Sequence, residues 1–221
     1  MQLAARLQIR HRGFVSNLTR TTLILMALCL SALAQGPPSL ETFTSPDGAF
    51  QFVYPENYEL LVGDRILKAT QGRQAALPVC DFSTAVACVI YPIESERGTK
   101  LEAAGFSVDT MDAPNESDCL LYKDEKARSR TLDLSTTSIS IRSRTFRHAS
   151  GTKKIPGHVQ SAEFYRTFTQ QTCYELQVEV SVSEDPVHQK ASASNSVADA
   201  TANTARESLK LILSSVVFEK E

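Results

Sequence analysis

Apolar and polar positions alternate most regularly in the last third of the chain. Tyr174, Leu176, Val178, Val180 and Val182 alternate with Cys173, Glu175, Gln177, Glu179 and Ser181, the period of a β-strand with one apolar and one polar face. Residues 159–168 supply its antiparallel partner. A loop of two or four residues centred on Gln170-Gln171 sets Arg166 opposite Glu175 and Tyr165 opposite Leu176. A three-residue loop would turn the glutamates inward, so side-chain polarity fixes the register. The same period of two puts Phe50, Phe52 and Tyr54 on one face of a strand over 49–54. The turn Ser45-Pro46-Asp47-Gly48 launches it, proline presetting φ and glycine tolerating a positive value, and Pro55 stops it.

Weaker patterns fill the middle. Residues 58–62 read as a short strand closing a hairpin on 49–54, and 77–81 with 85–91 as a second hairpin ended by Pro92. Residues 105–111 read as a strand, and 116–123 as one or two helical turns starting at Asn115. The β-branched and serine-rich run 135–146 places Ile139 and Ile141 on one face, and 151–157 (Gly-Thr-Lys-Lys-Ile-Pro-Gly) reads as a basic loop. Ser196 is a good helix N-cap with Asp199 three residues on. Val197, Thr201, Ala205, Ser208 or Leu209, and Ile212 then recur at helical spacing. This small-residue face lets the helix lie close on a sheet. Val216-Val217-Phe218 makes a terminal strand, and the polar stretch 35–44 a mobile lead-in.

Antiparallel strands packed by one long C-terminal helix define an α+β fold. The opening Ser-Pro-Asp-Gly-Ala-Phe-Gln-Phe-Val-Tyr-Pro (45–55), taken with the helix running into Leu-Ser-Ser-Val-Val-Phe (213–218), resembles the Mog1/PsbP-like superfamily. The likeness covers about twenty residues at each end; Tyr58 stands where an aromatic, often Trp, is common, and the four cysteines discussed below are not a hallmark of the group. The resemblance implies an α/β/α sandwich acting as a binding or assembly scaffold rather than a catalyst.

The first 34 residues change the picture of where this domain works. Arg6, Arg10, Arg12 and Arg20 precede an apolar run over 23–30 that tails into Ser-Ala-Leu-Ala. A core of about a dozen residues is shorter than the roughly twenty a membrane span needs, so the segment reads as a signal peptide cleaved between Ala34 and Gln35. Gly36-Pro37-Pro38 then keeps the cleavage site extended. An uncleaved anchor is the rival reading. Lipoprotein processing would need a small residue before Cys29, where Leu28 stands. Residues 45–221 are then one domain with enough chain for a proper core, exported to a periplasm or secreted. The leader holds four of the 23 basic residues and none of the 25 acidic ones, which leaves a net charge of −6. A mildly acidic domain without a basic tract is not built for nucleic acid or an anionic membrane surface.

Cys80, Cys88, Cys119 and Cys173 remain after cleavage, an even number in an oxidising compartment. None of the spacings matches the close ligand pairs of a zinc site, so no metal is expected. A hairpin symmetric about Thr84 sets Cys80 opposite Cys88, and opposed strand residues lie about 4.5–5.5 Å apart, within disulfide reach. Cys119 and Cys173 are then partners by elimination.

Candidate chemistry is sparse. No Gly-x-Ser-x-Gly elbow or His-Glu-x-x-His helix occurs, and His148, His158 and His188 read as exposed loop residues. The acidic groups Glu94/Glu96, Asp124/Glu125 and Glu184/Asp185 sit in turns. Arg142, Arg144, Arg147, Lys153 and Lys154 form a basic cluster. It serves either cross-strand pairing with Glu175 and Glu179, worth about 0.2–1 kcal/mol per pair, or a site for an acidic ligand with 151–157 as a flap. Arg142, Arg144, Lys153 and Lys154 are the ligand-binding candidates. Asn115-Glu116-Ser117 is a formal glycosylation sequon. The function expected is a non-catalytic exported binding or assembly domain that needs no cofactor; the alternative is a small extracytoplasmic hydrolase whose site is assembled from distant residues. Sequencing of protein from the native host should begin at or within a few residues of Gln35; an intact Met1 in the soluble cytosol would overturn the export reading.

Overall fold

The computed structural model describes residues 38–66, 79–80, 85–93, 100–121, 131–183 and 192–219. The leader over 1–34, the 81–84 hairpin turn and His188 lie outside the described residues, as do the acidic groups of 94–96, 124–125 and 184–185. Among the described residues, ten strands and two helices follow in order. They are β1 (Leu40–Thr44), β2 (Phe50–Pro55), β3 (Glu59–Val62), β4 (Ala85–Ile90), β5 (Leu101–Met111), α1 (Glu116–Leu120), β6 (Thr131–Ile141), β7 (Arg144–Ile155), β8 (His158–Thr169), β9 (Thr172–Ser183), α2 (Ser192–Ser215) and β10 (Val217–Phe218). A three-stranded sheet runs β1-β2-β10 and a seven-stranded one β3-β4-β5-β9-β8-β7-β6, every pairing antiparallel. The fold is α+β, and no described helix is long and apolar enough to cross a membrane.

One face of the large sheet makes the main core. Phe106 and Val108 of β5 and Leu176, Val178 and Val180 of β9 meet Ala202, Ala205, Leu209 and Ile212 of α2, with Phe50 and Phe52 of the small sheet closing one end. Ala205, fully buried, lets the helix axis approach the sheet, as its small-residue face predicts. Ala202 rather than Thr201 continues the stripe, and α2 starts at Ser192, four residues before the Ser196 cap read from sequence. The turn over 45–48 holds as expected: Gly48 takes φ +73, the amide of Phe50 donates to Ser45 Oγ, and the amide of Ala49 donates to Asp47 Oδ1. Asn115 caps α1, its side chain accepting from the amide of Asp118.

Five strand assignments differ from the sequence reading. In the strand expected over 77–81, Val79 and Cys80 form a turn, with Cys80 at φ +72, and the other residues lie outside those described. The lead-in is ordered strand from Leu40 onward, because β1 pairs with β2 and packs Phe43 on Phe50 and Phe52. β3 joins β4 instead of closing a hairpin on β2; β1 and β10 already occupy both edges of β2. The run over 135–146 is two strands, split where Arg142 enters the left-handed region at φ +53. The basic stretch over 151–157 is no flap: β7 continues to Ile155, and only Pro156-Gly157, with Gly157 at φ +84, makes the turn.

The β8–β9 register is as predicted: Arg166 faces Glu175 and Tyr165 faces Leu176 around the two-residue loop Gln170-Gln171. Both glutamines are left-handed, at φ +49 and +61, as the tight hairpin turn that matches strand twist requires. The polar face of β9 is not solvated, however. Cys173, Glu175, Gln177, Glu179 and Ser181 are all buried, together with Ser107 and Asp109 of β5 and Gln160 and Arg166 of β8. Three of these groups answer one another. Arg166 Nε donates to Glu175 Oε2 at 2.5 Å, Gln177 Nε2 donates to Glu175 Oε1 at 2.5 Å, and Arg166 Nη1 donates to the carbonyl of Leu121.

Both disulfides pair as expected, Cys80 with Cys88 (Cα–Cα 5.9 Å) and Cys119 with Cys173 (Cα–Cα 5.5 Å). The first is not a cross-strand link. Cys88 already has Leu61 and Ser107 as lateral neighbours, so Cys80 arrives from above the sheet. Gly105 makes room for that approach, since a Cβ there would collide with the side chain of Val79. In the chain-entropy account the short loop stabilises by about 2.6 kcal/mol and the long one by about 4.2. Cys119→Ser is therefore expected to lower the urea midpoint further than Cys80→Ser; the reverse order would show that local packing outweighs loop closure.

Candidate functional site

The large sheet is wider than the helix that covers it. α2 packs on β9, β5 and β2, while β8, β7 and β6 carry the sheet outward beyond it. On β7 and β8 the helix-facing positions turn polar. In the rows set by the register, Ser150 and Glu163 lie beside Val178, and Thr152 and Ser161 beside Val180. Arg206 reaches in from the flank of α2. The result is a cleft of about 400 Å³ lined by His148, Ser150, Thr152, Ser161, Glu163 and Arg206, with Val178 and the Gly151–Ala162 ladder in its floor.

Glu163 is the electrostatic centre of this wall. Its Oε1 pairs with Lys210 Nζ at 2.8 Å, its Oε2 accepts from Tyr165 Oη at 2.5 Å, and His148 Nε2 stands 3.4 Å away. Burial pushes the Glu163 carboxyl up, yet Lys210, the Tyr165 hydroxyl and the His148 charge together hold it below the ordinary carboxylate value. The His148 ring lies 4.7 Å from that of Tyr165, with Nδ1 3.4 Å from Thr137 Oγ1. Arg206 donates through Nη2 to Ser161 Oγ at 2.8 Å and through Nη1 to Asn203 Oδ1 at 2.9 Å. Among the described residues no group of three or more His, Cys, Asp or Glu side chains is placed to hold a metal ion.

The solved structures to which the chain is similar include three worth setting beside this geometry. A cyanobacterial PsbP (CyanoP) from Synechocystis sp. PCC 6803 is 10% identical over 84% of this chain and 96% of its own, with a TM-score of 0.42. The Saccharomyces cerevisiae Ran-binding protein Mog1p is 13% identical over 82% and 96%, with a TM-score of 0.44. A Bacteroides thetaiotaomicron VPI-5482 protein is 12% identical over 82% of this chain, which spans about half (49%) of that protein, with a TM-score of 0.42. Likeness this distant assigns no residue a role. No family model and no curated protein matches the chain.

The basic candidates fall into two separate pairs, neither of which lines the cleft. Arg142 sits in the β6–β7 turn and donates through Nε to the carbonyl of Ser214 at 3.0 Å, near the end of α2. Arg144 lies over the Phe218 ring, 5.1 Å from its centroid. Both fasten the C-terminal segment to the β6–β7 hairpin. Lys153 and Lys154 lie nine and ten residues further along β7, about 30 Å from Arg144 at the rise of an extended strand. Neither Arg142 nor Arg144 meets Glu175, whose cation is Arg166. His148 and His158 are strand residues beside carboxylates, not loop residues; His158 Nδ1 is 2.5 Å from Glu102.

Because the ionised form of Glu163 is the one the fold favours, its contribution is complete above the ordinary carboxylate value and fades as the pH falls through its lowered folded-state value. The stability gap between the parent and Glu163→Gln, measured by urea unfolding, should be widest near pH 7 and close toward pH 3. A gap constant across that range would mean that the Lys210 and Tyr165 contacts leave the ionisation of Glu163 unchanged.

Proposed function

We propose that the chain is an exported, non-catalytic binding domain, stapled by its two disulfides, that holds a small ligand in the cleft beside α2. The observation that carries this reading is the cleft itself, an open polar recess on the core-facing side of a sheet whose neighbouring positions are apolar. Its volume of about 400 Å³ lies within the range of about 300–1,000 Å³ typical of small-molecule sites. The signal-like leader and the four paired cysteines support placement outside the cytoplasm.

One observation favours a hydrolase as a second reading: Thr137, His148 and Glu163 lie in line, as nucleophile, base and orienting acid must. Two facts weigh against it. Both contacts of the imidazole are 3.4 Å long, and Glu163 is already committed to Lys210 and Tyr165. Native mass spectrometry of protein purified from its host should show a small molecule bound one to one, and the protein should not cleave p-nitrophenyl acetate above buffer background. Turnover abolished by both His148→Ala and Thr137→Ala would replace the binding reading with the hydrolase.

A further inference from the structure

Resting on the reading of the cleft as the binding site, we propose that it receives the anionic group of a small ligand, a carboxylate or a phosphate, on the guanidinium of Arg206. The charges on its walls decide the sign. Glu163 is neutralised by Lys210, with His148 on its other side, so its charge is not presented to an incoming group. Lys210 is spent in the same contact. Arg206 is different, because both of its partners, Ser161 Oγ and Asn203 Oδ1, are neutral. No described carboxylate pairs with it. Those two bonds fix the plane of the fork without discharging it, and a guanidinium has five N–H donors. The remaining donors are therefore oriented but uncompensated, which is the state that recognises a planar or tetrahedral oxyanion in bidentate fashion.

The neighbouring groups fit the same ligand. Ser150 and Thr152 bring hydroxyls to the same wall, and hydroxyls donate to anionic oxygen without adding charge. Arg206 and Lys210 lie one helical turn apart on α2, and among the described residues one carboxylate, Glu163, answers the two cations. The site is small. Phosphate or carboxylate would occupy only part of about 400 Å³, leaving room for a compact polar body beside Val178 and the hydroxyl rows.

The test is an NMR titration of the protein with both disulfides intact, following backbone amides and arginine Nε–Hε signals. Inorganic phosphate and citrate are the anionic probes and glucose the neutral one. Both anions should saturably shift the amides of 150–152 and 161–163 and the Arg206 Nε–Hε signal, and glucose should not. Arg206→Gln should weaken anion binding at least tenfold, Arg206→Lys should retain part of it, and Lys153→Gln, on the opposite face of β7, should match the parent. Thermal unfolding of each variant shows whether lost binding reflects lost structure. If Arg206→Gln binds both anions as the parent does, the anion assignment fails. If glucose shifts the cleft amides and the anions do not, the cleft stands as a ligand site but the anion is wrong. If no probe moves the cleft and native mass spectrometry finds its ligand elsewhere, both readings fall together.

Discussion

Arg166 and Glu175 face each other in the fourth pair from the turn of the β8–β9 hairpin, with their side chains almost wholly removed from water. Burying either charge alone would cost several kcal/mol, and burial of the pair is tolerated only because the remaining lone pairs and donors also find partners. Gln177 and the carbonyl of Leu121 are among those partners. A shift of one residue between β8 and β9 would move the arginine to the other face and leave the carboxylate without its cation. The constraint propagates outward. It places Cys173 where Cys119 can reach it, sets Phe106 and Val108 beside Val178 and Leu176 in the core, and lines Ser161 and Glu163 along the cleft.

Much of this frame was legible, in two cases through a premise that does not hold. The β8–β9 register follows from keeping the glutamates on a solvated face; the face is in fact buried. The register survives because pairing sorts side chains by kind, and Arg166 against Glu175 satisfies that sorting in water or out of it. The Cys80–Cys88 pairing likewise follows from a hairpin the protein does not use, and it is reached through the gap that Gly105 leaves for Val79. β1 was missed because it is a mostly exposed edge strand whose one large inward side chain is Phe43, too little to write a period. The β6–β7 turn was missed because Arg142-Ser143 carries neither glycine nor proline to mark it.

The cleft was harder to read, since its lining comes from β7, β8 and α2, and no segment is unusual alone. A signal was nevertheless present once the hairpin register is known. Placing Tyr165 opposite Leu176 also places Glu163 opposite Val178 and Ser161 opposite Val180, so two polar residues fall in rows that should be core. Polar side chains on the apolar side of a register mark the place where the helix ceases to cover the sheet. The basic residues that drew attention instead, Arg142 and Arg144, fasten the end of α2 and β10 to a hairpin.

β10 also governs when the molecule can fold. Gln51 pairs with Val217 across 166 residues of chain, and the rings of Phe50 and Phe218 pack at an angle against each other and against Tyr174. Contacts of such separation require long loops to close before they contribute anything, which slows folding. An edge of β2 therefore stays unpaired until the C-terminal residues have been made. The three-stranded sheet thus joins distant parts of the chain, and Phe50, Phe218 and Tyr174 come together only when it closes.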